Sequence, residues 1–309
     1  MNVGLYLATV LIWGTTWIAI HLQLGSVEAF ASIFYRFAIA GALFLPLMII
    51  FKRLQPTCRR DHFFFLLQGA CLFSMNYVCM YTASGYIISG LMSVVFAFAA
   101  LFNAFNQWLI WRKKPSKSIY VASVLGVVGL ALLFWPQLQI EQDIERVLYG
   151  LLLTAVGTYF FSLGNMVSVR NSHQGIKPWT SNAYSMIYGA VLMGLIVLAL
   201  DIPLGWDSSS TYVGSLIYLV VPGTMIGFTI YLVLVARIGA DKAAYTTVLF
   251  PIVALTISTF VEAYQWSVMA VLGLVLVMLG VLMSSRGPQL LDFFQRHGLY
   301  YYRLLFVSR

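Results

Sequence analysis

Charge is what this chain has least of. Asp, Glu, Lys and Arg make up 9% of its 309 residues, where a soluble chain carries about a quarter, and 61% are hydrophobic, with a mean hydropathy of +0.88. So few charges cannot clothe a solvated surface of this size, which excludes a free-standing soluble domain. Cysteine is also scarce: Cys58, Cys71 and Cys79 show neither metal-ligand nor redox spacing and read as ordinary thiols. His21, His62, His173 and His297 fall at the ends of apolar runs or between them. There is no HExxH and no GxSxG, and Thr82-Ala83-Ser84-Gly85 lacks the leading glycine of an intramembrane serine motif. A glycine-rich phosphate loop is missing too. The residues that hydrolytic, metal or ATP chemistry needs are therefore not assembled, and neither enzyme activity nor a cofactor is expected.

Long apolar runs are what the chain has instead. Crossing a hydrocarbon core takes about 20 residues of helix, and ten runs approach that length: 3–21, 30–51, 63–82, 87–111, 118–136, 147–169, 179–200, 212–235, 240–261 and 267–285. Basic residues sort between them. Lys52, Arg53, Arg59 and Arg60 follow the second run, and Arg112, Lys113, Lys114 and Lys117 the fourth. Arg170 and Lys177 follow the sixth, Arg237 and Lys242 flank the junction of the eighth and ninth, and Arg286, Arg296, Arg303 and Arg309 follow the tenth. The other gaps hold Arg146 against Glu28, Glu141, Asp143, Glu145, Asp201, Asp207 and Glu262. Because positive residues stay in the cytoplasm during insertion, both termini are predicted to be cytoplasmic. The net charge of +8 is then explained without a nucleic-acid partner. The first run lacks a basic leader and reads as a retained helix, not a signal peptide. After Gly287-Pro288 the tail alternates apolar and basic residues, the pattern of a helix lying on the lipid of the inner leaflet.

The chain also repeats itself. Leu5-Tyr6 through Gly14-Thr15 is matched by Leu148-Tyr149 through Gly157-Thr158 at an offset of 143. At an offset of 151, Ala100 pairs with Pro251, Trp111 with Glu262, Ser116 with Ser267 and Gly129 with Gly280. The predicted division is a first repeat over 1–136, an extracytoplasmic linker over 137–146, a second repeat over 147–285 and a tail over 286–309. Each repeat holds five runs, an odd number, so the second must lie inverted relative to the first. The fold expected is an all-α membrane protein of ten transmembrane helices in two inverted five-helix repeats.

Trp13-Gly14, Arg36, the run Arg237-Ile238-Gly239-Ala240 leading to Pro251 and Glu262, then Gly273 and Gly280-Val281, resemble in their order the EamA branch of the drug/metabolite transporter superfamily. The resemblance implies a central cavity lined mainly by helices 1, 3, 4, 6, 8 and 9 and the outward carriage of small metabolites, often amino acids. Ala100 and Trp111 stand where the family commonly has Pro and Glu, so its gating motif carries over to the second repeat only.

Helical periodicity supplies candidate residues for that cavity. Ser89, Ser93, Phe96, Ala100, Asn103 and Gln107 form one stripe, and Thr154, Thr158, Phe161 and Asn165 another. In lipid such groups must face another helix or a wet cavity. Aromatic pairs one turn apart, Trp13 with Trp17, Tyr77 with Tyr81 and Phe228 with Tyr231, offer faces to apolar or cationic groups. Thr16, Asn76 and Phe250 complete the candidate cavity set, with Ser93, Phe96, Asn103, Thr158 and Asn165 drawn from the two stripes. Arg36 is the one charge well inside a run, able to meet substrate, to bind carbonyls at a helix break or to snorkel outward. Pro251 should open a bending point in its helix, and Glu262 is expected as a gating or structural partner, for instance capping that break. No carboxylate lies mid-run, which favours facilitated diffusion or exchange over a proton relay. Gly150, Gly157 and Gly164 read as a packing stripe. The expected partners are a small-molecule substrate and the lipid of the cell membrane, the inner one in a bacterium. Uptake of a larger nucleotide-derived solute is one alternative to metabolite efflux, and a non-transporting scaffold is another.

Overall fold

The structure, a computed structural model, describes residues 2–25, 27–114, 117–140, 144–243 and 246–283. The predicted tail lies outside these residues, as do Ser116 of the repeat pairing and residues 141–143 of the predicted linker. The described chain is helical: α1 (Asn2–His21), α2 (Ala29–Ile50), α3 (Arg59–Ala83), α4 (Ser89–Trp111), α5 (Lys117–Ile140), α6 (Ile144–His173), α7 (Pro178–Ala199), α8 (Ser210–Ile238), α9 (Thr246–Val261) and α10 (Val268–Met283). By length and apolarity, α1 to α8 supply eight helices able to cross a membrane, while α9 and α10 contribute shorter apolar helices. Gly239, at φ +84°, ends α8, and within the ninth predicted run, 240–261, the described residues Ala240–Ala243 and Thr246–Val261 are helical.

Local chemistry sets the ends that hydropathy misplaced. Helix α3 starts four residues before the predicted run because Asp61 reaches back to accept the Cys58 N–H at 3.0 Å, closing the first turn. Helix α7 opens with Pro178, whose missing N–H costs nothing in a first turn. Helix α8 is capped by Ser209, which accepts from the Tyr212 N–H at 3.2 Å.

The outer surface carries many large apolar side chains, and polar residues are buried among an apolar core. Phe260, Val268 and Leu198 are 84%, 77% and 75% exposed, whereas Arg36, Gln68, Asn103, Asn165 and Thr158 are fully buried. Only a hydrocarbon solvent makes that arrangement favourable, and the chain is a multi-pass membrane protein.

Glycines set the closest helix approaches. A methyl group on Gly129 of α5 would lie 2.7 Å from the Gly273 carbonyl of α10, and one on Gly280 of α10 would lie 2.8 Å from the Ala122 carbonyl of α5. Residue 129 thus meets 273 while 280 meets 122, so the two helices run antiparallel. On α6, Gly150 faces Tyr86 and Ile87, Gly157 faces Cys79, and Gly164 faces Leu72, so the predicted stripe is where α6 meets α3 and the turn that follows it. Helix α1 packs on α8 and α9 as α6 packs on α3 and α4; α3 packs on α7 as α8 packs on α2. Exchanging each helix for the one five places on leaves these contacts unchanged. Helices α3 and α8 also share an irregularity, widening into π turns over Cys71–Met75 and Leu219–Ile226.

Candidate functional site

Helices α1, α3, α4, α6, α8 and α9 converge on a buried cavity. Its walls are Trp13, Thr16, Trp17 and Ile20 from α1, Asn76, Tyr77 and Met80 from α3, Phe96, Phe161, Phe228 and Phe250 from the other four. These are the helices that the resemblance implied. Its volume of about 30 Å³ is room for about one or two waters, not a metabolite.

Trp13 is the hub of the wall. Its ring centroid lies 4.7 Å from Phe228, 4.8 Å from Tyr231, 5.8 Å from Phe250 and 5.9 Å from Phe161, three of them edge-to-face. The indole N–H donates to the Gly223 carbonyl at 3.0 Å. That acceptor lies in the π turn of α8, where the Gly227 N–H bonds back to Pro222 O. Gly227 has no side chain where one would collide with the Trp13 indole nitrogen. Across the cavity, Trp17 meets Phe96 at 5.3 Å.

Behind Tyr77 stands Arg36. It is fully buried, so it does not snorkel outward, and its hydrogen bonds go to hydroxyls. Nε donates to Thr224 Oγ1 at 2.9 Å, again in the π turn of α8, and Nη2 donates to the Tyr77 hydroxyl at 3.1 Å. The guanidinium carbon lies 4.3 Å from the Tyr77 ring centroid. Three buried polar atoms hereabouts have no partner: Arg36 Nη1, Trp17 Nε1 and Asn76 Oδ1.

Of the candidate cavity set, Trp13, Thr16, Trp17, Asn76, Tyr77, Phe96, Phe228 and Phe250 line the cavity, and the others do not. Tyr81 donates to Gln23 Oε1 at 2.6 Å, tying α3 to the loop after α1. Ser93 and Thr158 spend their hydroxyls on their own helices, bonding Gly90 O and Thr154 O at 2.5 and 2.7 Å. Asn165 donates to the Tyr231 hydroxyl at 3.0 Å and to Asn103 Oδ1 at 3.4 Å, a buried cluster joining α4, α6 and α8. Those amides answer the demand for partners by bonding between helices. Tyr231 reaches the site indirectly, as the ring beneath Trp13.

Helix α9 continues as helix through Pro251. Glu262 caps a different helix. One carboxylate oxygen accepts the Ser89 N–H at 3.0 Å, at the start of α4, and the other accepts the Ser89 and Ser258 hydroxyls at 2.5 Å. His21 Nδ1, at the end of α1, lies 3.4 Å from the same carboxylate. One buried residue thus joins the ends of α1, α4 and α9.

Ile20 and Met80 were not among the predicted cavity residues, and Phe161 was named only as part of its stripe. Extending the periodic faces by one turn, from Trp13, Thr16 and Trp17 to Ile20 and from Asn76 and Tyr77 to Met80, would have found the first two, and Phe161 shares the stripe of Thr158 and Asn165. Gly227 had no signal, since its neighbour is an indole on another helix.

Proteins similar to it in sequence are transporters by name, without an assigned substrate. An uncharacterized transporter of Archaeoglobus fulgidus is 24% identical over 278 residues, 90% of this chain and 96% of the relative. The uncharacterized transporter YoaV of Bacillus subtilis is 22% identical over 281 residues, 90% and 94% of the two chains. A crystal structure 14% identical in sequence superimposes with a TM-score of 0.70 over 94% of this chain and 98% of its own, which shows a shared fold. The profile of the EamA-like transporter family matches twice, over residues 2–135 and again over 148–286. With both matches meeting at the aromatic cavity and almost the whole chain accounted for, this protein belongs to the EamA-like transporter family of the drug/metabolite transporter superfamily.

Proposed function

We propose that this protein is a secondary transporter that carries small polar or amphipathic metabolites, amino acids or related compounds, out of the cell across its cell membrane by alternating access. The observation that carries this reading is the small cavity at the meeting of α1, α3 and α4 with α6, α8 and α9, with aromatic walls and polar atoms that lack partners. Solute binds there, against Trp13, Trp17, Asn76, Tyr77 and Phe228. The two halves, residues 1–136 and 147–285, act as inverted repeats of five helices each, with both chain ends in the cytoplasm and 137–146 as the external linker. The antiparallel pairing of α5 with α10 and the exchangeable helix contacts support this arrangement. Two packings related by that exchange open the cavity to opposite sides in turn. Arg36 is the one charge deep inside a span, which weighs against a phosphorylated or nucleotide-derived solute.

Flux into proteoliposomes tests the proposal, with a labelled panel of amino acids, monocarboxylates, amines and nucleosides run with and without a pH gradient. Saturable, protein-dependent flux is expected, insensitive to the gradient, and Trp13→Ala should reduce it at least tenfold at equal protein density. Absence of flux across the panel would favour a scaffold.

A further inference from the structure

Arg36 is a buried cation without an anion. No carboxylate among the described residues lies within ion-pairing distance, although the side chain is fully shielded. Two of its nitrogens are taken by neutral hydroxyls, those of Thr224 and Tyr77, and the third, Nη1, makes no well-formed hydrogen bond, the Tyr81 hydroxyl being the other polar group beside the guanidinium. Hydroxyls and the face of Tyr77 offset only part of the cost of holding a full charge in a low dielectric. A second orphan points the same way: Trp17 Nε1, in the wall of the cavity that Tyr77 also lines, is a buried donor with no acceptor. Both groups are donors without an acceptor, and no carboxylate among the described residues serves them, while Asn76 Oδ1 on the same wall is an acceptor without a donor.

We infer that Arg36 receives the anionic group of the transported solute, and that this group is a carboxylate. One guanidinium is neutralised by one negative charge, whereas a phosphate monoester, at about −1.5 to −2 near neutral pH, would leave surplus charge buried. One free nitrogen also suits end-on contact with a carboxylate oxygen. Tyr77 takes part, because its hydroxyl accepts from Nη2 and keeps its own hydrogen to donate to the same anion. The remainder of the solute would lie against Trp13, Phe161 and Phe228. Since the cavity is too small for a metabolite and Tyr77 stands between it and Arg36, entry of solute and exposure of the guanidinium form one step. The inference rests on the transport reading above.

Matched solutes separate the two. Leucine, leucinamide, isopentylamine and 4-methylpentanoate are run with the flux panel on wild type, Arg36→Gln and Arg36→Lys, each at equal protein density. Wild type should carry solutes with a free carboxylate and discriminate at least tenfold against the amide and amine. Arg36→Gln should raise KM for carboxylates at least tenfold and narrow the preference over the amide, with Arg36→Lys recovering part of it. A purely structural arginine would lower flux for every solute alike and leave the preference intact, which overturns the inference. Flux confined to neutral or cationic solutes overturns it too while leaving the transporter standing; no flux of any solute removes both. If Arg36→Gln fails to accumulate, melting of the wild-type protein in detergent decides. Stabilisation by the transported carboxylate and not by its amide supports the assignment, and equal stabilisation by both overturns it.

Discussion

At the scale of single residues, a buried polar group in this protein has one of two fates, and its hydrogen bonds distinguish them. Asn165 spends its amide hydrogens between helices, on Tyr231 and Asn103, whereas Asn76 stands on the cavity wall; Oδ1 of each lacks a partner. Asn165→Ala should therefore cost stability, about 0.6 to 2 kcal/mol as for interhelical bonds in lipid, and leave KM unchanged. Asn76→Ala should do the reverse, keeping the melting temperature while changing KM; thermal melting in detergent beside proteoliposome kinetics checks both. Gly227 supplies a third contrast. A methyl there collides with Trp13, which is held by four rings and the Gly223 carbonyl, so Gly227→Ala should destabilise by about 1 to 3 kcal/mol. Gly4 in the first helix has open space around it, and Gly4→Ala should melt no lower than wild type.

At the scale of helices, the antiparallel contact of α5 with α10 is made through glycine, and α5 meets α4 and α6 only sparsely. Gly129→Leu should therefore part the pair and lower membrane abundance severalfold, read by blotting against wild type. Gly157→Leu should do the same between α6 and α3, where Cys79 and the Asn76 carbonyl leave no room. These helices were legible from hydropathy because lipid demands long apolar runs, and the glycine stripes were legible from their spacing. The π turns of α3 and α8 were not. Their register shift is set by packing against neighbours and by Pro222, and it decides where the Gly223 carbonyl and Thr224 hydroxyl meet Trp13 and Arg36.

At the scale of the whole molecule, the proposed orientation makes a chemical prediction. Cys58 is exposed between α2 and α3, whereas Cys71 and Cys79 face into the helix bundle. With a cytoplasmic amino terminus, a membrane-impermeant maleimide should spare intact cells' protein and label Cys58 in inside-out vesicles. Labelling of intact cells would reverse the orientation.

What the sequence determined by itself was membership of the membrane class, the approximate helix boundaries and the face of each helix that is polar. Those properties are local, averaged over about 20 residues by the solvent that surrounds them. Only the tertiary structure decided which polar faces open onto a cavity and which are spent between helices. Periodicity names a face but not what lies opposite: Asn165 finds Tyr231 66 positions away, Arg36 finds Thr224 188 positions away, and Trp13 finds Gly223 210 positions away. The partner, and with it the role, exists only once the helices have packed.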